Sequence, residues 1–309
     1  MRLVRLGRRS KPIDRCVISL GMGRKGHTLP LARLEESLQR TGFQGDFLVW
    51  KDELPPKSPT QLESPMAFKT FCFMEAMRHS YRFVLWIDAP CIALRSIDPI
   101  FAIIKNKGYV MFVDPYAQSV GQWCGDDVLE HHGISREAAL SMPEIPTSVI
   151  GLDLRSEIGR RFLEEWHAMA LDGVTFQGTR KAILSTDDHY AIGWNKGNRI
   201  SSDPRVGGHR YDQTAAGIIA HRLGMTACSD GLRDALCKQA AVNRGTMILH
   251  HREFGNEIKP LGAIYREVFI TQPFVRAPSQ SLRTSARKAM ALIRRCLFGR
   301  GRLFAGKDS

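Results

Sequence analysis

Nowhere in these 309 residues do eighteen apolar residues run without a charge, so no segment reads as a transmembrane helix. The N-terminal stretch MRLVRLGRRSKP is basic but lacks an apolar run of signal-peptide length, and the expected location is cytoplasmic. Cysteine never occurs as CxxC. The seven thiols, at positions 16, 72, 91, 124, 228, 237 and 296, are scattered and odd in number, which argues against a disulfide framework or a zinc site. There is no internal repeat and no long stretch of disordered composition; with 43% hydrophobic and 24% charged residues the chain can bury a core. Length alone leaves one large α/β domain or two small ones open.

What the middle of the chain also lacks is net charge. The total is +13, but residues 1–15 hold six Arg/Lys against one Asp, and residues 279–309 hold eight against one. The ends therefore supply all but one of the surplus charges, and 16–278 is nearly neutral. A nucleic-acid binder needs its basic patch on the fold itself, so nucleic acid is not an expected partner. In 282–304 the apolar Leu282, Ala286, Met290, Ile293 and Leu297 fall near one helical face, with Arg283, Arg287, Lys288, Arg294 and Arg295 largely off it. Such a tail suits an anionic membrane surface, at about 1 kcal/mol per basic residue near it. A helix packed on the domain, or a disordered arm, would fit the same residues.

Within 16–278 apolar runs alternate with helical patterns. Cys16–Leu20, Phe47–Trp50 and Arg82–Ile87 read as buried strands, with Tyr109–Val113 and Ser148–Leu152 as further ones. Leu31, Leu34 and Leu38 mark a helix ending near Gly42; others are expected over 65–80, 156–170 and 212–223. Pro55, Pro56 and Pro59 make a loop between them. Continuous apolar strands alternating with helices imply α/β architecture: one domain with a mostly parallel central sheet and helices on both faces.

Two constellations stand at strand ends. Gly21-Met22-Gly23-Arg24-Lys25-Gly26 matches G-x-G-x-x-G directly after a strand and could cradle a diphosphate, or be a plain glycine-rich turn. Asp52 and Glu53 follow the next strand, where a dinucleotide-binding enzyme places its ribose acid, at a longer spacing than usual. Asp88 ends the most apolar strand, and the carboxyl ends of parallel strands are where open α/β sheets bind ligands. A buried carboxylate there needs a partner, so it should face a crevice, a cation or donors; capping a turn is the plainer role.

The string AFKTFCFMEAMRHSYRFVLWIDAPCIALRSIDPIF resembles the core of GT-A-fold glycosyltransferases, the nucleotide-diphospho-sugar transferases, in particular glycogenin-like and lipopolysaccharide galactosyltransferase-like enzymes. In that family a basic residue on a helix precedes a strand of the form VLWLDADxxxxxDLxPLF, whose D-x-D acids contact ribose and a divalent metal. The resemblance assigns Lys69 to the basic residue and Asp88 to the first acid; position 90 is proline where the family has its second. Ser148–Arg155 is similar to the NSGVMLFN strand, and Gly208-His209-Arg210-Tyr211-Asp212-Gln213 to the DQxxxN element beside the transferred sugar. His250-His251 and the following residues to Lys259-Pro260 are loosely similar to HxxGxxKP, which supplies a metal-ligand histidine and a diphosphate-binding lysine. The ordered set spans about residues 14–260.

The resemblance implies a nucleotide-diphospho-sugar donor, a glycan or lipid-linked acceptor, and manganese or magnesium. It places Asp212 and Gln213 at the reacting sugar, with Asp188 of the Asp187-Asp188-His189 stretch as a further candidate base. Gly21, Gly23, Arg24, Lys69, Asp88, His209, Arg210 and Lys259 would hold the donor, and Asp88, His250 and His251 the metal. The chemistry agrees, since glycosyl transfer must neutralise a leaving diphosphate and place carboxylates near the sugar. Asp212 could equally be a helix N-cap. Asp126-Asp127 and His131-His132 read mainly as a surface helix. Two other functions stay open: an NAD(P)-dependent oxidoreductase built on the glycine-rich turn, and a non-catalytic GT-A-like binding domain, which Pro90 would suit.

Overall fold

A computed structural model describes residues 1–7, 14–22, 25–114, 116–178, 200–229, 231–234, 242, 245–251 and 259–271. Its centre is a six-stranded sheet. Three buried strands, β2 (Arg15–Gly21), β3 (Gly45–Lys51) and β4 (Phe83–Ile87), run parallel in the order β3-β2-β4. Outside them, β1 (Arg2–Leu6) lies antiparallel on β3, and β7 (Val149–Asp153) lies antiparallel on β4. The short β6 (Tyr109–Val110), antiparallel to β7, closes the far side, so four of the six strands point one way.

The strands are apolar throughout because both faces are covered. Alternate residues feed two cores. Cys16, Ile18, Trp50, Val84, Trp86 and Ile150 face one side, with α2 (Phe68–Arg78), α6 (Glu157–Leu171) and α7 (Tyr211–Arg222) packed on it. Val17, Phe47, Leu85, Ile87 and Val149 face the other, with α1 (Lys25–Arg40) and α3 (Asp98–Lys107). The spacing of Leu31, Leu34 and Leu38 works as expected: all three are buried in this second core.

A smaller sheet, β5 (Cys91–Ala93), β9 (Ile248–His250) and β8 (Leu232–Asp234), carries a third core under α8 (Leu261–Thr271), where Tyr265 donates its hydroxyl to the Ala93 carbonyl at 2.6 Å. On the first core's side lie α4 (Asp126–His131) and α5 (Arg136–Leu140).

Two readings of the sequence change. Arg2–Leu6, read with the rest of 1–15 as a basic end, is an edge strand: its two arginines stand three residues apart and only one of its edges is paired within the sheet. Tyr109–Val113 pairs as a ladder only over Tyr109–Val110; Phe112 then bridges to Cys228 instead. The tail 279–309 lies outside the described residues, and among the described residues no helix is long and apolar enough to cross a membrane.

Candidate functional site

The carboxyl ends of β2, β3 and β4 share one edge, and Asp88 is the first residue past β4 there. Because β7 runs the other way, its beginning reaches the same edge, and the Asp88 amide donates to the Ser148 carbonyl at 2.8 Å. The helix α2, crossing back from β3 to β4, starts at this edge and places Lys69 in its first turn. The first turn of α7 brings Asp212.

These residues meet at the Lys69 ammonium. Its Nζ lies 2.8 Å from Asp212 Oδ2 and 3.3 Å from Asp88 Oδ1, and donates to Thr147 Oγ1 at 3.1 Å and the Thr147 carbonyl at 3.2 Å. The Thr147 hydroxyl donates to Asp212 Oδ2 at 2.6 Å, and the Trp86 indole N–H to Asp88 Oδ1 at 2.6 Å. Burial works against the ammonium, but Asp212 and then Asp88 outweigh it, and its pKa is raised. Side-chain exposure separates the roles. Lys69 and Asp212 are each 5% exposed, while Asp88 keeps 19%. One cation against two carboxylates leaves the cluster with a formal charge of about −1.

The backbone is strained where it delivers two of these groups. Met66 (φ 63°), three residues before Lys69, and Tyr211 (φ 37°), directly before Asp212, both sit at positive φ without being glycine. Such conformations cost about 1–3 kcal/mol each and persist only where surrounding contacts impose them.

A second group adjoins the first. Arg210 lies with its guanidinium 3.7 Å from the Trp123 ring centroid, donating from Nη1 to Gln118 Oε1 at 2.6 Å and to Glu144 Oε2 at 3.0 Å. Asp114 stands 3.8 Å away. Glu144 is 1% exposed, and burial pushes its pKa up to about 8 against the opposing pull of Arg210.

Other expected site residues sit elsewhere or do other work. Gly21 ends β2 at the same edge, its carbonyl accepting from the Asp52 amide at 3.0 Å. Glu53 pairs with the Met1 amino group. Gln213 is half-buried one residue beyond Asp212, its amide donating to the Arg210 carbonyl. His209 is 5% exposed; its Nδ1 accepts from the Gly125 amide at 3.4 Å and its Nε2 contacts the Thr175 carbonyl at 2.9 Å. With both ring nitrogens so engaged, His209 braces its loop instead of reaching for a ligand. Gly23, Arg24 and Asp188, with Asp187 and His189, lie outside the described residues.

The late motif does return to the site's border. β9 pairs with β5 so that His250 stands opposite Cys91, and the His251 amide donates to the Pro90 carbonyl at 3.2 Å. Arg33 of α1 donates to the Lys259 carbonyl at 3.1 Å and reaches the His251 carbonyl at 3.4 Å. The expected metal set does not converge, however. Among the described residues the group of three His, Cys, Asp or Glu side chains with ligand atoms within 4.8 Å of one another is His131, His132 and Asp172, and Asp88, His250 and His251 do not form one. His250 is the last residue of β9, and His251 follows it outside the strand. The residues present therefore do not fit a three-ligand centre.

The His131–His132–Asp172 group is itself poorly suited to a cation. Burial, then Arg222 and His131, hold the His132 pKa down to about 4, and the Arg222 guanidinium is 3.3 Å from its Nδ1. Its Nε2 contacts the Thr175 hydroxyl at 2.8 Å.

Of the stretch Ser148–Arg155, similar to the NSGVMLFN strand, only the Ser148 end belongs to the site. Asp153, at the other end, is held by Arg82 through three bonds of 3.0–3.2 Å at the amino edge of the sheet. Sequence reasoning missed Thr147, Trp86 as an indole donor although it stands in the quoted VLWID stretch, and the whole group of Asp114, Gln118, Trp123 and Glu144, which stand in no recognisable motif.

No protein-family model and no curated protein matches the chain. Solved structures do resemble it in outline. The crystal structure of a glycosyltransferase involved in the glycosylation of the major capsid of PBCV-1 matches at 12% identity, over 52% of this chain and 68% of that one, with a TM-score of 0.31. Mouse xyloside xylosyltransferase 1, in its apo form, matches at 13% identity, over 76% of this chain and 97% of that one, with a TM-score of 0.42.

Proposed function

We propose that this chain is a GT-A-type glycosyltransferase that moves a sugar from a nucleotide-diphosphate donor to a glycan or lipid-linked acceptor. One observation carries the reading: Lys69, Asp88 and Asp212, far apart in sequence, meet at the carboxyl edge of an α/β sheet, the edge where open α/β sheets bind their ligands. In this reading Asp88, the most exposed of the three, faces the donor. Lys69 holds the two carboxylates in register. Asp212, sealed by Lys69 and Thr147, acts through Lys69 and not on the sugar itself. Arg210 beside them offers a positive charge to the diphosphate, and charge stabilisation of the leaving group is the main task of such a site. A divalent cation enters as an arm of the test only, since the described donor set does not form its centre. The working domain is 16–278 together with the edge strand β1, and the basic tail 279–309 is the part proposed to rest on an anionic membrane surface from the cytoplasmic side.

The test is a thermal-shift screen with UDP-, GDP- and CDP-sugars, with and without manganese, followed by donor turnover. Donor at about 100 times its Kd adds about 2.7 kcal/mol to the folded state, a readily measured rise in Tm. One donor class should give that rise and be turned over, and Asp88→Asn should abolish turnover with the apo melting temperature little changed. Absence of both shift and donor hydrolysis across the whole panel would refute the proposal. Binding and no turnover would instead favour a non-catalytic domain, to which Pro90 in place of a second acid and the closed Lys69–Asp212 pair also lend themselves.

A further inference from the structure

We infer that Glu144 is a positioning residue: by clamping Arg210 over Trp123 beside the Lys69 cluster, it aims the guanidinium at an anionic group of the substrate. The identity of that group as a donor diphosphate rests on the function proposed above; the clamp itself does not.

The geometry has three parts. First, the segment carrying Glu144 and Thr147 meets the start of α7 in two neighbouring contacts, Glu144 with Arg210 and Thr147 with Asp212. Whatever fixes Arg210 is thus tied to the group that fixes Lys69. Second, the guanidinium is defined on several sides. Trp123 lies under it at 3.7 Å, Gln118 and Glu144 both take Nη1, and Asp114 stands 3.8 Å off. The Gly207 backbone packs close to the indole, where a Cβ would lie 3.0 Å from its ring. The Arg210 side chain nevertheless keeps 25% exposure. A cation stacked, clamped and partly open is prepared to take a planar or phosphate anion with little loss of side-chain freedom.

Third, Glu144 cannot be explained as a simple ion-pair partner. Its Oε2 accepts from Arg210, yet Oε1 is buried with no hydrogen-bond partner among the described residues. An ionised carboxylate would leave a charged oxygen there unsatisfied, beside Asp114 and Asp212. A proton on Oε1 removes that charge, and Oε2 goes on accepting from Arg210. The clamp then holds the guanidinium without neutralising it. The charged groups facing Glu144 are Arg210 and Asp212 from the start of α7 and Asp114 from the loop after β6; burial comes first among the causes and Arg210 alone opposes it.

The experiment uses the full chain and two substitutions. Glu144→Gln keeps an acceptor for Arg210 and carries no charge at any pH; Glu144→Ala removes the clamp. Guanidinium NMR signals of Arg210, assigned through Arg210→Lys, report the clamp without any ligand. They should be resolved in wild type and Glu144→Gln and averaged in Glu144→Ala. In wild type alone they should shift as pH rises through about 8. Signals unmoved by both Glu144→Ala and pH overturn the inference, whatever the protein binds.

The second readout is calorimetric binding of UDP, GDP, CDP and ADP as probes. The nucleotide that binds should lose about tenfold in affinity on going above the Glu144 titration, and about tenfold in Glu144→Ala at neutral pH, the scale of one hydrogen bond to a charged group. Glu144→Gln should hold its affinity across the range. A Glu144→Gln variant that follows the wild-type pH profile overturns the inference. If none of the four nucleotides binds, the donor reading falls, and the NMR result still decides the clamp.

Discussion

Replacing Glu144 with Gln isolates one buried proton, and its effect on stability can be worked from the structure. Burial raises the Glu144 pKa from 4.5 to about 8 in the folded protein. A carboxyl whose folded pKa lies above its unfolded value keeps its proton in the native state after the unfolded chain has lost it. The folded state then binds more protons, so its stability falls as pH rises, by about 1.4 kcal/mol per pH unit. The window opens near the unfolded value and closes as pH passes the folded one, for a full loss of about 5 kcal/mol. Glutamine has no proton to lose, and every other group titrates alike in both proteins. Urea unfolding of wild type and Glu144→Gln across this pH range therefore gives a difference curve belonging to Glu144. Wild-type stability relative to the variant should decline steadily from acid to about pH 8 and then level off. A flat difference, or one that rises with pH, would refute the view that Glu144 is buried as a neutral acid.

Lys69→Met should destabilise by about 3–5 kcal/mol, because Asp212 is left buried without its cation. Adding Asp212→Leu should restore much of that loss, which urea denaturation of the single and double variants measures. Arg82→Ala strips the partner from Asp153 at the opposite edge of the sheet; it should cost about 1–3 kcal/mol, and donor turnover at 25 °C should stay near wild type. Gly108→Ala should lower Tm. The backbone there is at φ 85°, and a Cβ would come within 2.6 Å of Ile158 Cγ2 and Ser156 Oγ.

Much of this fold could be read from local pattern. The continuous apolarity of Arg15–Gly21, Gly45–Lys51 and Phe83–Ile87 marks strands covered on both faces, and Leu31, Leu34 and Leu38 announce which side of α1 is inward. Asp88, a lone acid ending the most apolar of those strands, is conspicuous for the same reason: a charge there needs a crevice, a partner or a turn to cap. The edge strand Arg2–Leu6 escapes such reading because five residues with two arginines resemble an arm as much as a strand until a neighbour offers its backbone.

What the chain alone determined, then, is the set of elements, their buried faces and the acid at a strand end, since these follow from periodicity and apolarity within a few neighbouring residues. Only the tertiary structure decided which way β7 runs, and that direction brings Ser148 to Asp88 and Thr147 to Asp212, and sends Asp153 to the far edge. It also decided that Lys69 should be shared by Asp88 and Asp212, that His209 should serve the backbone, and that Glu144 should be sealed against Arg210. Each of these depends on groups dozens of residues apart meeting in a region of low dielectric, where one neighbouring charge or one missing partner sets the protonation and the role of a side chain.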